Sequence, residues 1–252
     1  AREWLGLRHA ASAGVVVPKL LSARETPLGK ASLLQYIAGN SLRRQRHVPN
    51  ALQTTARALA SLHQSATPPP THTAGNANLE WLLDRLSEWS HELQNPLIKI
   101  ALQVAAETSE KIEYTSQVLH GDFHAGNVIV DDCGNPTLMD WEELAVGDPR
   151  WDIATMLDSL GWDSPAAKRF LEAYQTAIGN RVGHLPTFRG LKLLRNLIVA
   201  QWVQLQFAGG HALNTSLPMW RELSKGLERS VAEWLADIAT RRTSAAVSAP
   251  SA

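Results

Sequence analysis

The sequence predicts an α+β fold: a few short strands near the front, then a mostly helical body interrupted once by a small strand–loop–strand insert. Three observations lead there. Two short apolar runs, "VVVPKLL" and "ASLLQYI", are separated by the turn-rich "SARETPLGK" and predict two antiparallel strands. From residue 50 onward, apolar residues recur mainly at helical spacing. In the middle, "VLHGDFHAGNVIVDDCGNPTLMDWEE" (118–143) alternates short β-branched runs with polar loops.

Taken in order, "REWLGLRHAASAG" predicts a helix with Trp4, Leu5, Leu7 and Ala11 on one face and Gly14 as its stop. After the two strands, "NALQTTARALASLHQ" carries Leu52, Ala56, Leu59 and Leu62 near helical spacing. "SATPPPTHTAGN" holds three consecutive prolines and is expected to be a loop. Helical patterns resume over 79–93 and 96–112. "QVLH", "VIVDD" and "TLMDW" are expected strands, with "GDFHAGN" a polar loop and "CGNP" a turn. "RWDIATMLDSL", "PAAKRFLEAYQTAI", "RGLKLLRNLIVAQWVQLQF" and "MWRELSKGLERSVAEWLADIA" then predict helices. The tail "RRTSAAVSAPSA" (241–252) has no apolar period and is expected to be disordered.

Composition excludes some functions. Lys plus Arg and Asp plus Glu both number 24 among the 252 residues, which speaks against a broad nucleic-acid footprint. No apolar run approaches the ~20 residues a membrane helix needs. The one cysteine, Cys133, has no partner for an internal disulfide or a cysteine metal cluster, so a reducing, cytoplasmic setting is expected.

The central insert admits two chemistries. On an extended strand His120, Asp122 and His124 would point the same way and could bind zinc, as in a metal hydrolase. Against this, Gly121 and Gly126 flank the polar residues and serve to bend a loop. Phosphoryl transfer explains more residues. It needs a carboxylate facing the acceptor hydroxyl and ligands for magnesium, and the spacing H-x-D-x-x-x-x-N supplies both from one loop. Here that spacing is His120, Asp122, Asn127, and Asp140 in "LMDWE" lies one hairpin downstream, where a second magnesium carboxylate is expected.

These residues carry a resemblance. "HGDFHAGNVIV…LMDWEELAVGDPRWDIATML" resembles the aminoglycoside phosphotransferase and choline kinase-like family, relatives of the protein kinases; "GVVVPKLL", "ASLLQYIAGNSL" and "LASLHQ" resemble its last N-lobe strands, hinge and following helix. The resemblance implies a protein-kinase-like two-lobe fold, with a partial β-rich N-lobe over 1–38 and a helical C-lobe over 39–240. It implies that Asp122 is the catalytic carboxylate and that Asn127 and Asp140 hold Mg2+. It implies that the backbone of Gln35, Tyr36 and Ile37 receives the base of ATP or GTP, and that Glu3 is the helix glutamate that pairs with a phosphate-binding lysine. His120, His124 and Asp152 are then supports of the catalytic loop. Lys19 and Lys30 come too late in the chain to be that lysine, so a truncated N-lobe is expected, with a nucleotide-binding pseudokinase as the alternative to an active enzyme. The acceptor implied is a small molecule: an aminoglycoside, macrolide, choline-like amine or sugar.

The plainer expectations are these. Asp148 before Pro149 is either a functional carboxylate or a helix cap. Glu142 and Glu143 are expected to be a solvated pair, with contact to a cationic substrate as the alternative. Trp141, Trp151 and Trp202 pack the core. His63, closing its amphipathic helix, is a packed or capping residue.

Overall fold

The computed structural model describes residues 2–27, 29–48, 50–65, 75–77, 82–84, 86–88, 91, 99, 102–103, 116–179, 188–208, 225, 229 and 232. The chain divides into two compact units, Ala1–Leu79 with Glu113–Leu185, and Glu80–Ile112 with Pro186–Ala252.

In the first unit, helix α1 (Arg2–Ser12) buries Gly6, Leu7 and Ala10 and stops at Gly14, whose φ is +76°. The expected face is therefore rotated: Trp4 and Leu5 are half-buried and Ala11 is exposed. The cause is Gly6. A β-carbon there would lie 2.6 Å from Trp141 Cβ, so the helix seats its bare backbone on that tryptophan.

Strands β1 (Leu20–Thr26) and β2 (Gly29–Leu34) form an antiparallel hairpin in which Thr26 pairs with Gly29. The hairpin is as expected, but its first strand lies later. The supposed separator "SARET" is strand, whereas Val15–Lys19 has no regular secondary structure and the Val16 carbonyl accepts a bond from Leu138 N–H. Strand β3 (Asn40–Ser41) leads into the short helix α2 (Leu42–Gln45), and helix α3 (Ala51–His63) buries Leu52, Ala56, Leu59 and Leu62 as expected. Strand β4 (Gly75–Ala77) falls within the stretch expected to be loop. It pairs in parallel with a strand some 70 residues on, a non-local partner that local turn signals do not reveal.

The insert then unfolds as β5 (Gln117–Leu119), β6 (Val128–Val130), β7 (Pro136–Leu138) and β8 (Ala145–Gly147). Two three-stranded sheets result, in orders β3-β6-β7 and β4-β8-β5. Helix α4 (Arg150–Leu160) follows, and helix α5 (Pro165–Ile178) starts where Ser164 Oγ accepts Ala167 N–H at 3.1 Å and ends at the left-handed Gly179. Helix α3 packs along α5, and their core includes Leu59, Leu62, Phe170 and Tyr174.

In the second unit, helix α6 (Arg189–Ala208) buries Leu191, Leu193, Leu194 and Leu197. The expected helices over 79–112 and after 218 lie mostly outside the described residues, as do the tail and the side chain of Trp202. No described helix is long and apolar enough to cross a membrane.

Candidate active site

The segment from His120 to Asn127 is a bent loop, not a strand, and its side chains alternate between interior and surface. His120, Phe123 and Ala125 are fully buried, while Asp122, His124 and Asn127 are partly exposed. Gly121 permits the bend. Its φ is +89°, and a β-carbon would lie 1.8 Å from the Glu143 carbonyl oxygen, so only glycine fits.

The loop is held from behind by one buried carboxylate. Asp152 is fully buried on α4 and accepts His120 N–H at 2.7 Å and Gly121 N–H at 3.0 Å. A carboxylate only accepts, so His63 Nε2 donates to it at 3.2 Å, and the Tyr174 hydroxyl completes the relay at His63 Nδ1, 2.7 Å away. Burial, with the charges of Asp152 and Asp148, pushes the Tyr174 phenol far above its ordinary range, so it stays protonated. His63 thus does more than pack or cap. Its place on the apolar stripe of α3 was the available clue, because a buried imidazole requires hydrogen-bond partners.

Further ties reach the loop from α4. Ser159 Oγ accepts Ala125 N–H at 2.9 Å, and Trp151 Nε1 donates to the Gly121 carbonyl at 2.9 Å. Asp148 accepts the Arg150 amide at 2.9 Å and grips the Arg150 guanidinium, while the cap position of α4 is Pro149 and has no side-chain cap bond. Asp148 and Arg150 are buried. Trp141 and Trp151 are buried as expected, with the Trp141 ring 4.5 Å from that of His120.

The exposed face gathers side-chain oxygens. Asn127 Nδ2 donates to the Asp122 carbonyl at 3.1 Å and approaches its Oδ2 at 3.4 Å. Asp140 reaches the same edge through the β6–β7 hairpin. Val128 pairs with Leu138, and Met139 N–H donates to the Asn127 carbonyl at 2.8 Å, which sets Asp140 one residue beyond Asn127's partner. The hairpin register is fixed by its turn, where Asp131 Oδ1 accepts Cys133 and Asn135 N–H, and Thr54 Oγ1 of α3 donates to the Gly134 carbonyl at 2.6 Å. The Asn135 bonds hold the Asp131 carboxyl below its ordinary range. Asp140 itself is exposed at a left-handed φ of 61°, a conformation uncommon outside glycine.

Negative charge accumulates at this edge. The carboxyl of Glu142 is raised above its ordinary range by the charge of Asp140 first, then by burial, Glu143, Glu3 and Asp122. Glu142 and Glu143 are exposed, and Glu143 lies 3.8 Å from Arg2. Glu3 accepts from Ser32 Oγ of β2 at 3.1 Å, and Trp4 Nε1 donates to that hydroxyl at 2.8 Å. Gln35, Tyr36 and Ile37 follow β2. The Gln35 amide is engaged by the Lys19 carbonyl at 2.8 Å, and Tyr36 is 86% exposed.

The zinc arrangement fails on this geometry. His120 is buried with Nε2 donating to the Met139 carbonyl at 2.8 Å, and among the described residues no three His, Cys, Asp or Glu side chains form a metal-holding group. Magnesium asks less of the protein. It takes oxygen ligands, commonly one or two carboxylates, the rest coming from phosphates and water. Asp140 and Asn127, in a field negative enough to raise Glu142, fit that donor set.

A family model described as "Phosphotransferase enzyme family" matches residues 3–194 of this chain. A protein named "Probable ketoamine kinase" from Enterococcus faecium is 30% identical over 119 residues, covering 46% of this chain and 41% of that protein. The match thus spans about two fifths of that relative's length. Among solved structures, choline kinase LicA from Streptococcus pneumoniae superposes with a TM-score of 0.67 at 17% identity, covering 90% of this chain and 80% of that one. The GDP complex of wild-type aminoglycoside 2'-phosphotransferase-IIIa superposes with a TM-score of 0.65 at 16% identity, covering 92% and 83%. The shared fold is that of the protein kinases.

Proposed function

The chain belongs to the phosphotransferase enzyme family, and we propose that it moves the γ-phosphoryl group of ATP or GTP to a hydroxyl of a small molecule. One observation carries the reading: the loop and the β6–β7 hairpin register bring Asp122, Asn127 and Asp140 to one exposed edge.

In this reading Asp122 accepts the acceptor hydroxyl's proton on a carboxylate oxygen as the new oxygen–phosphorus bond forms. The bond from the γ-phosphorus to its bridging oxygen breaks, and the nucleoside diphosphate leaves with that electron pair. Asn127 and Asp140 would hold Mg2+, which neutralises phosphate charge when bound. His120 and Asp152 support the loop: Asp152 fixes its amides and His120 donates to Met139 beside Asp140. Residues 1–38 would serve as the N-lobe portion and 39–240 as the C-lobe. The Gln35 amide is already engaged, so the base would meet the Gln35 carbonyl and the backbone of Tyr36 and Ile37. Glu3, at the start of α1, would turn from Ser32 toward a phosphate-binding cation.

The named relatives act on a ketoamine, choline and an aminoglycoside, which supports a small-molecule acceptor of the aminoglycoside, macrolide, choline-like or sugar kind. A cytoplasmic setting, where the nucleotide is abundant, accords with the exposed free thiol of Cys133. One observation favours a second reading, a nucleotide-binding pseudokinase. Glu3 accepts from the Ser32 hydroxyl, a contact that requires no phosphate-binding lysine.

The test is a phosphorus NMR assay of ATP and GTP with a panel of hydroxyl acceptors, with and without magnesium. A magnesium-dependent phosphomonoester is expected. Nucleotide binding without transfer to any acceptor or to water would favour the pseudokinase, and absence of both would overturn the reading.

A further inference from the structure

We infer that His124 is a positioning residue for the Asp122 carboxylate, locked by the loop's own amides in the tautomer that carries its proton on Nε2. The inference rests on the phosphotransferase reading of Asp122.

Three contacts carry it. His124 Nδ1 accepts Gly126 N–H at 3.0 Å and Asn127 N–H at 3.2 Å. The Asn127 N–H is shared with the His124 carbonyl at 2.9 Å, but the Gly126 N–H points at Nδ1, and a donor aimed at that nitrogen excludes a proton there, so the proton sits on Nε2. That nitrogen faces Asp122 Oδ2 at 3.5 Å. The separation is at the edge of hydrogen-bond range, and catalytic bonds of this kind commonly tighten only when substrate binds. The ring is also seated from below. A β-carbon at residue 126 would lie 2.7 Å from His124 Cε1 and 2.9 Å from Nδ1, so Gly126 leaves the space the imidazole occupies.

Asn127 Nδ2 approaches the same oxygen, Oδ2, at 3.4 Å. Two N–H groups directed at Oδ2 orient the carboxylate on the loop. One imidazole therefore does two jobs at once. Its Nδ1 shapes the loop and its Nε2 aims the carboxylate, and the two can be separated by substitution.

Asparagine at 124 can accept the residue 126 amide as an Asx turn but cannot reach Asp122 with a donor. Glutamine puts an amide N–H near the place of Nε2 but loses the acceptor near Nδ1. The experiment compares wild type, His124→Asn and His124→Gln. It measures phosphate released from magnesium–ATP with water as acceptor, KM for ATP, and thermal unfolding, with nitrogen-15 NMR of the wild-type ring. We expect NMR to report an unprotonated Nδ1 and a protonated Nε2. We expect His124→Asn to keep its melting temperature and lose roughly 10- to 100-fold in kcat, and His124→Gln to melt lower yet stay within about 3-fold of wild-type kcat. KM for ATP should be unchanged in both. A proton on Nδ1, or kcat values that simply follow the melting temperatures, would overturn the inference alone. A wild-type protein that binds ATP but transfers phosphate neither to water nor to any hydroxyl acceptor of the panel would overturn the phosphotransferase reading and this inference with it.

Discussion

The His120–Asn127 loop and the β1–β2 hairpin flank one candidate site but are held in opposite ways. In the loop, a buried carboxylate, a serine hydroxyl and a histidine ring accept the backbone amides of His120, Gly121, Ala125, Gly126 and Asn127. In the hairpin, a backbone ladder stands in solvent, with Leu21 and Leu33 each 60% exposed and the Trp4–Ser32–Glu3 chain of bonds also exposed. The difference teaches where rigidity is required. The backbone of the loop around Asp122 is held by buried bonds to Asp152, whereas the hairpin is left with contacts that water can replace.

Glycines give the largest test of that contrast. Gly121→Ala drives a β-carbon into the Glu143 carbonyl at a positive φ and should cost about 4 kcal/mol or prevent folding. Gly29→Ala in the hairpin also has positive φ, but nothing lies within 4 Å, so only the backbone cost of about 1–2 kcal/mol is expected. Urea unfolding reads both, and similar values would erase the distinction.

Next come the bonds themselves. Asp152→Asn replaces an acceptor of His120, Gly121 and His63 donors with a group that also donates, and should cost about 3 kcal/mol and lower turnover. Ser32→Ala in the hairpin should stay within about 0.5 kcal/mol in the same unfolding assay. A smaller effect lies at the far end of the relay. Tyr174→Phe removes one neutral bond to His63 and should cost about 1 kcal/mol by chemical denaturation.

The smallest effect is electrostatic. The carboxyl of Glu142 titrates above its ordinary value of 4.5 in the folded protein, raised first by Asp140. The folded state then holds its proton longer than the unfolded one, so this group's contribution to stability falls as pH rises from about 4.5 through the raised value, and levels off above it. Glu142→Gln should remove that descent, by only a few tenths of a kcal/mol because the group is mostly exposed. Thermal melts from pH 4 to 7 would check it, and an unchanged profile in the variant would take Glu142 out of the acidic edge.

The same contrast explains what could be read from the sequence. The loop was legible because chemistry dictates its residue types and spacing: Asp122, Asn127 and Asp140 are in order, and the β5, β6 and β7 segments around them lie where their β-branched runs predicted. The hairpin's strand limits were misplaced. None of β1's side chains is buried, so no apolar alternation marks its extent, and Val15–Lys19 looked more strand-like than the true strand. Strand β4 was missed because its partner β8 is distant in sequence, and Ser159 because a serine that caps a remote amide leaves no periodic trace. His63 was placed on the right helix face, but its link to Asp152 is a tertiary fact.

Asp122 is proposed to serve chemistry and not folding. Its side chain is 40% exposed, so its charge is not needed to bury the loop. The most direct measurement is Asp122→Asn, with thermal unfolding and magnesium–nucleotide turnover read on the same preparation. The predicted result is an unfolding curve that overlays wild type and a kcat lower by about 100- to 10,000-fold. A variant that turns over at near wild-type kcat would contradict the account.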